Sequence, residues 1–154
     1  MINKNIFGLE IHFLHNQTYE SRKAEVFINI EDSDEWFKPN AKTIGSYERI
    51  LIHVKDLITN QDRYFFLKNC NILVKDEEIF INSLNRKRVF RKSTHKTIDY
   101  KKQIQELKQD ILYLTSLQKI GIEINEYIKL ERLEDEHYIW TLSDLLNLKE
   151  DENE

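Results

Sequence analysis

The sequence holds one cysteine, one proline, two alanines and three glycines among 154 residues. Lone Cys70 excludes a disulfide scaffold and a multi-cysteine zinc site. Gly8, Gly45 and Gly121 lie far apart, so no glycine loop is present to cradle a phosphate. No apolar run approaches the roughly 20 residues of a membrane helix. The first residues lack the apolar core and small-residue cleavage site of a signal peptide, and no Gly-x-Ser-x-Gly elbow occurs. A reducing cytoplasm is the expected compartment. Alanine, glycine and proline have G/C-rich codons, whereas the abundant Ile (20), Lys (16) and Asn (13) have A/T-rich ones. The contrast points to an AT-rich genome, bacterial or phage, and it makes scarce glycine a poor guide to fold.

What is present is globular in kind. Apolar residues make up 40% and charged residues 32%, with eight Phe, seven Tyr and two Trp. The net charge of −4 is unevenly spread. Residues 86–102 carry eight basic groups against Asp99, net +7, while residues 123–154 are net −8. The basic stretch could attract phosphate, dock on the protein's own acidic C-terminal third, or meet an acidic partner.

Hydrophobic periodicity assigns the elements. Phe7, Leu9, Ile11 and Phe13 alternate with polar residues, the period of a half-buried strand, and Ala24, Val26, Ile28 and Ile30 repeat the pattern. Residues 31–40 form an acidic turn region holding the only proline. Residues 46–59 fit a strand or a Ser46-capped helix, and their β-branched content favours the strand. Residues 63–92 read as short strands between turns. At residue 97 the period changes. Thr97 is a candidate cap, and Tyr100, Ile104, Leu107, Ile111, Leu114 and Gln118, with Leu117 alongside, make an amphipathic stripe that stops at Gly121. Residues 122–133 fit either a strand or a helix. Ser143 can cap a last turn before a frayed acidic tail at 149–154.

The expected fold is therefore a single α+β domain. An antiparallel sheet of about 5–7 strands, open or partly curled into a barrel, covers 5–92. One long helix at 97–119 packs on the sheet or on a second copy of the chain, and a short tail, mixed to helical, follows at 122–148.

The chemistry is sparse. His12, His15, His53, His95 and His137 are scattered, and with one cysteine no zinc ligand set can be assembled from spacing alone. Asp32, Asp34 and Glu35 place carboxylates as a divalent-cation loop would, and equally as an ordinary acidic turn does. Cys70, between two asparagines in a strand region, reads as structural. No nucleophile, base and orienting acid can be named, so no catalytic residue, cofactor or metal is expected. The leading reading is a small non-catalytic binding protein that occludes or scaffolds another protein, with Trp36, Phe37 and Trp140 as its aromatic anchors. The second is a nucleic-acid-binding regulator using Arg86, Lys87, Arg88, Arg91, Lys92 and Lys96, with Phe90 as a stacking face. A pI near 5.8 weighs against a large non-specific footprint. A metal-dependent enzyme built on the Asp32, Asp34 and Glu35 loop is third.

Overall fold

A computed structural model describes residues 5–30, 33–94 and 99–154. The fold is α+β. The chain divides into two compact units: residues 1–92 with 149–154, and residues 93–148.

The first unit is a closed five-stranded barrel with two additional strands. Strands β1 (Ile6–His12), β2 (Thr18–Asn29), β3 (Thr43–Asp56), β4 (Gln61–Val74) and β5 (Glu78–Asn82) follow one another as antiparallel neighbours, apart from the step that closes the ring. That step pairs β1 with β5 in parallel, Leu9 opposite Ile79 and Ile11 opposite Ile81. The parallel closure is a matter of parity. In a meander the strand direction alternates, so the first and fifth strands run the same way. Closure removes the open edges that a flat sheet would expose. The short strands β6 (Val89–Lys92) and β7 (Leu148–Asp151) extend the sheet beyond β4.

The alternation seen in the sequence lines the barrel. Phe7, Leu9, Ile11, Val26, Ile28, Ile50, Ile52, Val54, Phe65, Leu67, Ile72, Val74, Ile79 and Ile81 are all buried in one cluster. Residues 46–59 are thus mostly strand, as their β-branched content favoured. The inward residues change parity within the long β3–β4 hairpin. Ile50, Ile52 and Val54 face in together with Phe65 and Leu67, but beyond Glu48 and Asn69 the inward set is Tyr47, Cys70, Ile72 and Val74. Asn69 adopts a left-handed conformation there, with φ 46°. The backbone disturbed by this switch is bonded from outside the ladder. Lys68 N–H donates to Ser83 Oγ at 3.1 Å, Leu84 N–H donates to Lys68 O at 2.9 Å, and Asn85 Nδ2 donates to Phe66 O at 2.9 Å.

The turn from β3 to β4 is held by Asp56. Its Oδ1 accepts the backbone N–H groups of Ile58 at 2.8 Å and Thr59 at 3.1 Å, and Asn60 supplies the left-handed residue with φ 56°. Burial alone would raise the Asp56 pKa, but the bonds from Thr59 and Ile58, together with Ser21 and the charge of Arg63, hold the carboxyl below its ordinary value.

The second unit is a pair of helices that pack on one another, α1 (Lys101–Gln118) and α2 (Ile124–Leu146). This corrects the expectation of one long helix with a short helical tail. Residues 124–146 continue as a full-length second helix; of the two patterns that residues 122–133 carry, the helical one through Ile124, Tyr127, Ile128 and Glu131 is the one realised. The expected cap Thr97 lies outside the described residues. Asp99 Oδ1 accepts the Lys101 N–H at 3.0 Å at the start of α1. Gly121, with φ 102°, makes the turn between the helices. Ser143 does not cap a last turn. It is buried inside α2, which ends instead at left-handed Asn147. Ser93 and Asn147 then clasp each other, Ser93 N–H to Asn147 O at 2.8 Å and Asn147 Nδ2 to Ser93 O at 2.9 Å. The acidic tail is not frayed. Residues 148–151 form β7, and arginines of the barrel unit take up the carboxylates of Glu150, Asp151 and Glu154.

Candidate interaction surfaces

The helical unit shows its apolar stripe only partly buried. Leu114, Leu130 and Leu142 are buried, and Ile104, Leu107 and Ile111 are half-buried. A second set of large apolar side chains is open to solvent around the inter-helix turn. Ile120 is 86% exposed, Ile124 78% and Ile128 54%, and Tyr127, Leu112 and Tyr113 are also exposed. Ile124, Tyr127 and Ile128 share one helix face by their i, i+3, i+4 spacing. The surrounding charge is acidic: residues 123–136 hold six carboxylates and two bases. Trp140 belongs to this unit but is not its open face. It is half-buried, with its ring 5.0 Å from that of Tyr100, whose hydroxyl donates to Leu148 O at 3.1 Å.

Trp36 and Phe37 lie in the barrel unit. Phe37 exchanges two backbone hydrogen bonds with Ile28, both 2.8 Å, and the residue is 42% exposed. Trp36 is half-buried and caps a row of rings on the barrel's outer surface. Phe27, His53 and Tyr64 are direct cross-strand neighbours, with His53 and Tyr64 stacked at 4.4 Å and 6°. The Trp36 ring stands 5.7 Å from His53 and 6.0 Å from Tyr64. Burial pulls the His53 pKa below its ordinary value, against the opposing effect of Asp62, whose Oδ1 lies 2.8 Å from Nε2. The exposure of Trp36 is thus partly spent on packing against its own unit.

The basic stretch is met by the acidic one. Arg88 forks onto Glu150 with contacts of 2.9 and 3.0 Å. Arg91 reaches Asp151 at 2.6 Å and Glu154 at 2.9 Å. Arg63 donates to the same Glu154 at 2.8 and 3.1 Å. Hydrogen bonding from Arg63 holds the Glu154 carboxyl below its ordinary pKa, and Arg91 does the same for Asp151. Phe90 is fully buried, edge-on to Phe66 at 4.9 Å, so it presents no face to a base. The Lys87 ammonium lies 5.8 Å from the Tyr19 ring, and Arg86 and Lys92 are exposed. Lys96 and His95 lie outside the described residues.

Asp34 and Glu35 are exposed, Asp32 lies outside the described residues, and the Glu35 N–H donates to Ser33 Oγ at 3.2 Å. No grouping of His, Cys, Asp or Glu suited to a metal occurs among the described residues. An open cleft of about 480 Å³ lies over β1, β2 and β5, lined in part by Gly8, Glu10, Glu20, Arg22, Glu78 and Phe80, and no histidine or cysteine lines it. Cys70 is buried, and burial pushes its thiol up to about 11. Among the described residues no helix is long and apolar enough to cross a membrane.

Sequence reasoning missed the exposed apolar set near the inter-helix turn. Its signal was available in Ile120, Ile124, Tyr127 and Ile128, a second stripe whose i, i+4, i+7, i+8 spacing repeats across the glycine turn.

A five-stranded barrel joined to a helical pair, each with its own buried residues, defines a two-part α+β protein. Two family models match those parts in turn: "UU051 N-terminal domain" over residues 8–88 and "Uncharacterised protein UU051 C-terminal domain" over residues 101–151. The chain belongs to the UU051 family. A relative, "Uncharacterized protein UU051" of Ureaplasma parvum serovar 3, is 28% identical over 149 residues, covering 94% of this chain and 88% of that protein.

Proposed function

We propose that this protein acts without catalysis, by binding another protein through the end of its helical pair. The observation that carries the reading is the exposed set Ile120, Ile124, Tyr127 and Ile128 on an otherwise acidic stretch. Burying a side chain such as Ile124 in a partner contributes about 1.5–3 kcal/mol of transfer free energy, which a helix gains only when something covers it. Large apolar side chains left open together, as Ile124, Tyr127 and Ile128 are on one helix face, favour an interaction site. The acidic surroundings favour a partner with an apolar centre and a basic rim. Pairing of Arg88 and Arg91 with Glu150 and Asp151 also supports this reading over nucleic-acid binding, since it neutralises the basic stretch from within.

The test places a photo-crosslinking residue at position 124 in the full chain, in cells of the native host. A discrete protein adduct is expected, and Ile128→Asp should remove it. In parallel, anisotropy titrations against mixed DNA and RNA oligonucleotides at 50 and 200 mM salt should show no saturation. Absence of any adduct, together with micromolar oligonucleotide binding that collapses with salt, would overturn the proposal.

A further inference from the structure

The segment 149–154 is a short acidic peptide seated on a basic edge of its own barrel unit. Its backbone is hydrogen-bonded as β7 to β6. Its carboxylates are divided among Arg63, Arg88 and Arg91, and Glu154 is shared by two of them. None of these contacts is sealed. The three arginine side chains are 13–33% exposed and their acidic partners 22–28%, so each pair keeps some access to solvent and a part of its strength is open to salt, least for Arg63. The exposed Arg86 and Lys92 lie on the same chain stretch.

We infer that the edge formed by β6 with Arg63, Arg88 and Arg91 is a docking site for an extended acidic peptide, for which residues 149–154 are the resident occupant. A partner's acidic strand would replace β7 by adding to the same edge, taking its main-chain bonds from β6 and giving its carboxylates to the same guanidinium groups. The occupant's chemistry favours a peptide over a nucleic acid on two grounds. The ladder to β6 needs a peptide backbone, and buried Phe90 denies a base any surface to stack on. The site is in the barrel unit and its function does not depend on what the helical pair binds.

The experiment uses the full chain and a fluorescein-labelled peptide copying residues 148–154, followed by anisotropy at 50 mM salt. The unaltered chain, with its edge occupied, should bind weakly. The variant Glu150→Gln/Asp151→Asn/Glu154→Gln should bind at least tenfold more tightly, because its own segment competes less. Adding Arg88→Glu/Arg91→Glu should abolish binding, and 300 mM salt should weaken it. Equal affinity of the triple variant and the unaltered chain would overturn the inference and leave the segment as a fixed brace. Tighter binding of a twelve-residue oligothymidine than of the peptide would overturn it in favour of a phosphate groove. Should the triple variant fail to fold, hydrogen exchange of amides 148–151 in the unaltered chain decides the matter. Excess peptide should accelerate that exchange, and no change would refute displacement.

Discussion

Replacing Asp56 should loosen the barrel by an amount set by two hydrogen bonds. The carboxylate is largely buried, and one oxygen accepts the Ile58 and Thr59 N–H groups as the chain turns from β3 into β4. Hydrogen bonds to a charged acceptor contribute about 1.5–3 kcal/mol where buried, and loss of a comparable capping side chain costs roughly 0.5–2 kcal/mol. Part of the loss is recovered because water can reach amides near exposed Ile58 and Thr59. Asp56→Ala should therefore cost about 1.5 kcal/mol. Asp56→Asn keeps a neutral acceptor and should cost roughly half as much. Urea unfolding in a Trp140→Phe background isolates the fluorescence of Trp36, which sits in the barrel unit. With a slope of about 1.5 kcal/mol per molar, the Ala midpoint should fall by roughly 1 M. The pH dependence has a definite sign. The folded pKa is depressed below the ordinary 3.8, so the carboxylate's contribution is complete above that value and is lost as pH falls through the folded one. The gap between the unaltered chain and Asp56→Asn should narrow as pH falls below 3.8. A loss under about 0.5 kcal/mol for Asp56→Ala, or an Asn gap of the same size at pH 2.5 and pH 7, would refute the reasoning.

A double-mutant cycle on Arg88→Ala and Glu150→Ala should give a coupling of about 0.5–1 kcal/mol that shrinks in 0.5 M salt, because both groups are partly exposed. A salt-independent coupling would contradict it. Gly45→Ala would set a Cβ 2.7–2.9 Å from the Tyr47 ring, so the ring must move. The substitution should destabilise by about 1 kcal/mol and do so much less in a Tyr47→Ala background, as thermal unfolding of the four variants would show. Cys70, with its thiol held near 11, should resist iodoacetamide at pH 8 in the folded chain and react fully in urea. Labelling at equal rates in both states would refute its burial.

The sheet was legible where one face is buried and the other open. Phe7 to Phe13 and Ala24 to Ile28 alternate because the barrel interior takes every second residue. Closure was not legible. It depends on β1 meeting β5 about seventy residues away, and no local pattern encodes that pairing. The stripe through Ile104, Leu107, Ile111 and Leu114 revealed α1, but residues 122–133 satisfied two periods at once, so α2 stayed ambiguous. β7 was invisible for a different reason. Leu148-Lys149-Glu150-Asp151 has no apolar alternation, and what holds it in place includes charge opposite charge 60 residues earlier in the chain. Net charge by segment gave both halves of that arrangement without saying that they meet. For the candidate sites, residue type was a poor guide to accessibility. Phe90 and Trp140 were named for exposure and are buried or half-buried, while Ile120 and Ile124 are the open ones.

The return of residues 149–154 to the barrel unit bears on how the protein can be dissected. The two family segments invite a cut between residues 92 and 101, giving an apparently natural N-terminal fragment. Such a fragment, residues 1–92, has 15 basic and 13 acidic groups and is net positive, whereas the whole chain is net −4. It would also leave β6 without β7 beside it, and would take the carboxylates of Glu150, Asp151 and Glu154 away from Arg88, Arg91 and Arg63. Any polyanion binding or aggregation measured on that fragment would be a property of the cut. A faithful truncation removes residues 93–147 and rejoins 92 to 148 through a flexible linker, so that the barrel unit keeps β7 whole.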